Sequence, residues 1–81
     1  MEINLHGRER ADAYIEICRA LDECLIVGDN RLTMIHGYHH GVSLQSYVRS
    51  NKFLAKLKKA NYKVKLIPPK DPAKTSLAVN C

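Results

Sequence analysis

The sequence predicts an α/β fold: a two-layer sandwich in which a four-stranded mixed sheet carries two helices on one face. Three observations predict it. Short apolar stretches lie at Ile3–Leu5, Leu32–Ile35, Tyr62–Leu66 and Thr75–Cys81. Patterns with a spacing of three and four separate the first from the second and the second from the third. Each of the first two stretches runs into His-Gly directly before a helical pattern. The order is strand, helix, strand, helix, strand, strand. At 81 residues there is room for one domain, residues 1–81. A chain of this size buries only about 60–65% of the surface it exposes when unfolded, so a surface site is expected and a deep cofactor cavity is not.

Ile3 and Leu5 alternate with Asn4 and His6, which puts Asn4 and His6 on one side of a short first strand. Gly7 allows a tight exit. From about Glu9 to Val27 the period is helical, and Tyr14, Ile17, Cys18, Leu21 and Leu25 form one stripe. Asp12 in the first turn suits the helix dipole, and Gly28 is a natural residue to end the helix. Leu32 to Ile35 is apolar at nearly every position, as a central parallel strand requires. His36 to Gly41 is a loop. From Ser43 the helical period returns with Leu44, Tyr47 and Val48. Ser50-Asn51 interrupts it with two good N-cap residues, and a second short helix or a kinked continuation follows through Phe53, Leu54 and Leu57. Tyr62, Val64 and Leu66 alternate with Lys63 and Lys65 in a half-exposed third strand. Pro68-Pro69, Asp71 and Pro72 make a stiff turn. Leu77 and Val79, spaced by two, mark the last strand. The first crossover is expected to be parallel and right-handed. The sheet's other face should be polar, with Asn4, Lys63 and Lys65 on it.

Charge is divided along the chain. Residues 1–40 carry four Lys or Arg against seven Asp or Glu; residues 41–81 carry nine against one. A basic half favours a polyanion, against the simpler alternative of a solvated lysine face. The three cysteines have no CxxC or Cys/His ligand spacing, which reads as free thiols in a reducing compartment. There is no leader-like start, and the longest apolar run is far too short to span a bilayer. A cytoplasmic protein with no membrane partner is expected.

All four histidines fall in the two His-Gly stretches. If the first two strands are parallel, His6 and His36 lie at strand carboxyl ends on one sheet edge, where open α/β folds bind ligands. Helix N-termini follow both stretches, and Gly7, Gly37 and Gly41 let a ligand approach the backbone. That combination suits a phosphate. Three roles for the histidines compete: acid–base work at a phosphodiester, ligation of a metal, and passive hydrogen bonding in a loop. No acidic partner or recognised ligand spacing supports the metal, and neither a metal nor another cofactor is expected.

These residues resemble the Smr (small MutS-related) domain family. Its members open with a strand ending Leu-Asp-Leu-His-Gly. An amphipathic helix follows, then a strand running into Ile-His-Gly-Lys-Gly-x-Gly or a variant, then a helix and two strands. Here the motifs are Ile3-Asn4-Leu5-His6-Gly7 and Ile35-His36-Gly37-Tyr38-His39-His40-Gly41, and the resemblance covers essentially the whole chain. It implies a compact α/β sandwich similar to the C-terminal domain of a bacterial translation initiation factor, and a free-standing family member. It also implies binding of DNA or RNA and, as in several members, endonuclease activity. Two departures bear on this. Asn4 stands where the family has an acidic residue suspected of a catalytic role, and an amide cannot serve as a base. Tyr38 and His39 stand where the family has Lys and the middle Gly. The expected function is therefore nucleic-acid binding with nicking of a phosphodiester. His6 and His36 are the acid–base pair, and His39 stands in for the carboxylate missing at Asn4. Gly7, Gly37, Tyr38, His40 and Gly41 hold the phosphate, and Arg49, Lys52, Lys63 and Lys65 anchor the backbone. The alternatives are a binding module that has lost cleavage and an interaction domain that meets no nucleic acid.

Overall fold

The computed structural model describes residues 1–37 and 42–79. Four strands form one open sheet: β1 (Glu2–Asn4), β2 (Arg31–Ile35), β3 (Val64–Leu66) and β4 (Lys74–Val79), in the spatial order β1-β2-β4-β3. β1 and β2 are parallel; β2 with β4 and β4 with β3 are antiparallel. The sheet is thus the mixed four-stranded one that the sequence predicts.

Period-two alternation decides its faces. Leu32, Met34, Val64, Thr75, Leu77 and Val79 are buried, whereas Glu2, Asn4, Arg31, Lys65 and Lys74 are exposed. The registers put each of those sets on one side: Ile3 beside Met34 and Leu32 beside Leu77 inward, Asn4 beside Ile35 and Lys65 beside Ala78 outward. Asn4 and Lys65 lie on the helix-free face, as expected.

Helix α1 (Arg10–Val27) packs on the inner face through Ala13, Ile17, Ala20, Leu21 and Cys24. The expected stripe is corrected here. Leu25 is 45% exposed, and Tyr14 and Cys18 are only half-buried. The centre of the buried side is held by small residues, Ala13, Ala20 and Cys24, which let the helix approach the sheet closely. A pattern read from large apolar residues is drawn to the flank. Gly28 ends the helix at φ 76°, its N–H donating to the Cys24 carbonyl.

The second helical stretch is two helices, α2 (Val42–Val48) and α3 (Asn51–Lys59). Ser50 makes the break. Its backbone is extended, its hydroxyl donates to the Tyr47 carbonyl (2.6 Å) and accepts the Phe53 N–H (3.2 Å). Phe53 and Leu57 then enter the core, with Tyr14 edge-on and Tyr47 tilted against the Phe53 ring. Asn61, at φ 70°, turns the chain from α3 toward β3. Among the described residues no helix is long and apolar enough to cross a membrane.

Replacing Ser50 by Ala leaves α3 without its side-chain cap. The expected cost is about 1 kcal/mol, seen as a lower urea midpoint with an unchanged slope. An unchanged midpoint would mean that Phe53 packing alone holds the break.

Candidate functional site

Parallel pairing of β1 and β2 brings both His-Gly stretches to one edge of the sheet. His36 follows β2 directly; His6 lies one residue beyond Leu5, whose N–H donates to the Ile35 carbonyl (2.7 Å). The two histidines are then treated very differently.

His6 is exposed. Its N–H donates to the Asn4 side-chain oxygen (2.9 Å), and the Arg8 N–H donates to the Leu5 carbonyl (3.0 Å). Asn4 therefore works as a turn residue: its oxygen closes the loop that presents His6. The strand ends at Asn4, and the His6 ring lies against Gly37. A Cβ at Gly37 would fall 2.5 Å from the His6 Cδ2 and 3.2 Å from its Nε2. Gly37 also has φ 84°, a conformation that favours glycine. The first motif's imidazole thus seats on the second motif's glycine, and the two stretches form one unit. Gly7, at φ 80°, has open space where its side chain would be.

His36 is fully buried. Its Nδ1 lies 3.0 Å from the Gly37 carbonyl and its Nε2 2.8 Å from the Thr75 hydroxyl. A carbonyl only accepts, so Nδ1 carries the proton and Nε2 accepts from Thr75. The Thr75 oxygen in turn accepts from the Arg49 Nε (2.8 Å). Burial pushes the His36 pKa below the ordinary 6.5, the Arg49 charge acts the same way, and the Gly37 carbonyl and Asp71 oppose them. A neutral imidazole with both nitrogens engaged results.

The segment between β3 and β4 templates this arrangement. The N–H groups of His36 and Gly37 both donate to the Ala73 carbonyl (3.1 and 3.2 Å). These N–H groups are therefore not available to a phosphate, contrary to the expected backbone cradle at Gly37. Arg49 reaches the same segment with Nη2 on the Asp71 and Lys74 carbonyls, and Gln45 donates to the Pro72 carbonyl (2.6 Å). Arg49, expected to grip nucleic acid, is occupied as a clamp. Thr75 was not singled out by sequence. Its signal was there: it shares a face with Leu77 and Val79, so the alternation places a hydroxyl in the core.

The remaining expected residues separate. Lys52 is exposed in the first turn of α3. Lys65 is paired with Ala78, which also faces Arg31, the first residue of β2. It therefore lies two strands across and at the sheet end opposite His36, roughly 17 Å away along the strand direction at about 3.3 Å per residue. Lys63, just before β3, is exposed at that same end. Tyr38, His39, His40 and Gly41 lie outside the described residues. Among the described residues no group of three or more His, Cys, Asp or Glu is placed to hold a metal ion.

A solved structure matches this architecture over 99% of the chain and 98% of its own length, with a TM-score of 0.72 and 25% identity: the Smr domain of Thermus thermophilus MutS2. The chain shares the Smr-domain fold. A second similarity agrees: the chain is 34% identical over 64 residues to the endonuclease MutS2 of Finegoldia magna. The match takes in 75% of this chain and 8% of that relative, so the chain spans a small fraction of the curated protein. No family model matches the chain.

The two glycines of the His-Gly stretches should differ when substituted. Gly7→Ala meets open space and pays only for the left-handed backbone, about 1–2 kcal/mol. Gly37→Ala pays that and must also move the exposed His6 ring off its seat, so it should cost more. Urea unfolding of both variants checks this, and equal losses would show that His6 does not rest on Gly37.

Proposed function

We propose that this Smr domain binds DNA or RNA through phosphate contacts at the His-Gly edge and nicks the phosphodiester with His6 as its acid–base group. The observation that carries the proposal is the exposed His6 ring seated on Gly37, beside an unobstructed Gly7. An exposed imidazole on an edge where two loops meet is placed to exchange a proton with a phosphate oxygen. The similarity to a segment of an endonuclease supports the same chemistry. His36 takes a different part in this proposal from the one expected of it. With Nδ1 on the Gly37 carbonyl and Nε2 on Thr75, it positions the peptide on which His6 rests. His39 is the proposed second acid–base group, and Tyr38, His40 and Gly41 complete the phosphate contacts. Lys52, Lys63 and Lys65 supply charge to the backbone, and the compartment is the cytoplasm.

One observation favours a second proposal, a binding module without cleavage. Asn4 spends its side-chain oxygen on the His6 N–H and brings no carboxylate to the edge. In that case the fold and the phosphate contacts persist, and the acid–base step is lost.

Nicking of supercoiled plasmid and cleavage of structured RNA, each with and without chelator, separate the two. The wild-type domain is expected to cut, and His6→Ala to lose about 10²–10⁴-fold in rate. Equal background cutting by wild type and His6→Ala would rule out the nuclease. A large gain on Asn4→Asp would identify a binder with a dormant site.

A further inference from the structure

The lysines that the sequence assigns to backbone anchoring sit at the end of the sheet away from the histidines. There the surface forms a groove of about 820 Å³, lined by Lys58, Lys63 and Lys65 with Asn30, Asn61 and Tyr62. Among the described residues none of those lining it is acidic. Asp22 approaches it only as the acceptor of the Tyr62 hydroxyl (2.6 Å). A second depression, between the helix-free face and the Pro68-Pro69 segment, is more balanced. Arg31, Lys70 and Lys74 there are offset by Glu2 and Asp71, and Lys74 is 3.9 Å from Glu2. Of the two depressions the far groove is the more one-sidedly positive, and the helix-free face joins it to the His-Gly edge: Lys65, Ala78 and Arg31 form one cross-strand row, and Lys74, Ile35 and Asn4 form another.

Distance decides what the groove can do. Lys65 and His36 are separated by roughly 17 Å along the sheet, whereas salt screens exposed charges within about 8–10 Å. The groove lysines are therefore too far to steady a phosphate at His6. They need phosphates of their own. A mononucleotide cannot supply both sets, and a polymer can: 17 Å is about five base-pair steps at 3.4 Å each. The groove holds a single aromatic residue, Tyr62, whose hydroxyl is tied to Asp22. That is no platform for stacking unpaired bases, so backbone contact with a duplex is favoured.

We propose that the Lys58–Lys63–Lys65 groove is a second, remote phosphate-binding site, which holds a double-stranded nucleic acid laid across the helix-free face of the sheet toward the His-Gly edge. The inference rests on the nucleic-acid reading and adds to it the path and the minimum length of the ligand.

The test uses fluorescent hairpins with stems of four, eight and twelve base pairs closed by one common loop, titrated across a salt series. Wild type should gain tenfold or more in affinity between the four- and eight-base-pair stems. In the K58Q/K63Q/K65Q variant that gain should vanish, and the salt slope should fall by about 0.9 for each lysine that meets a phosphate. A charge-matched variant on the helix layer, R19Q/K56Q/K59Q, should keep the gain. Equal losses in the two variants would overturn the groove and leave only net charge. Wild-type binding that rises with stem length but ignores the groove substitutions would overturn this inference and spare the nucleic-acid reading. No salt-dependent binding by wild type to any stem would overturn both. Circular dichroism of each variant confirms that the exposed substitutions leave the fold intact.

Discussion

A buried, neutral imidazole with both nitrogens occupied fixes most of what surrounds it. His36 donates to the Gly37 carbonyl and accepts from Thr75, and Arg49, just after α2, completes the chain of hydrogen bonds. An unpaired polar group at this depth would cost about 1–3 kcal/mol, so the three side chains constrain one another. Their combined effect is local and mechanical. The loop after β3 is drawn against the end of β2, the Gly37 peptide is held in one orientation, and a flat surface is left for the His6 ring. The site is built from the core outward.

This divides the labour between two residues that look identical in sequence. Each is the histidine of a His-Gly pair after a short strand. One ends in the core because β2 is central, flanked by β1 and β4, so the residue following it is enclosed. The other ends at the surface because β1 is an edge strand whose chain turns away through Asn4 and Gly7. Sheet order, which no local pattern contains, sets the difference.

Much of the fold was legible because it follows from period and punctuation. The alternation in β4, the Gly28 stop and the Ser50 interruption each specify a local geometry that tertiary packing then keeps. The parallel β1–β2 pair, and with it the shared edge of the two motifs, followed from the intervening helix. What stayed hidden depends on contacts between residues far apart in the chain. Thr75 and His36 meet across 39 positions, Arg49 is turned inward by carbonyls of the 71–74 segment, and the small residues at the centre of α1 attract no attention beside Tyr14 and Leu25. Lys63 and Lys65 stand with Lys58 at the end of the sheet away from the histidines, where α3 delivers the chain to β3.

Charge and chemistry are accordingly separated in space. The exposed His6 stands at one end of the sheet, and Lys58, Lys63 and Lys65 gather at the other. The link between them is the assignment of His36 as a positioning residue and His6 as the exposed one. Nitrogen-detected NMR of the His36 ring tests that link most directly. The arrangement predicts a neutral ring protonated on Nδ1 that titrates below the ordinary 6.5. A ring protonated on Nε2, or one that gains its second proton at or above 6.5, would contradict it.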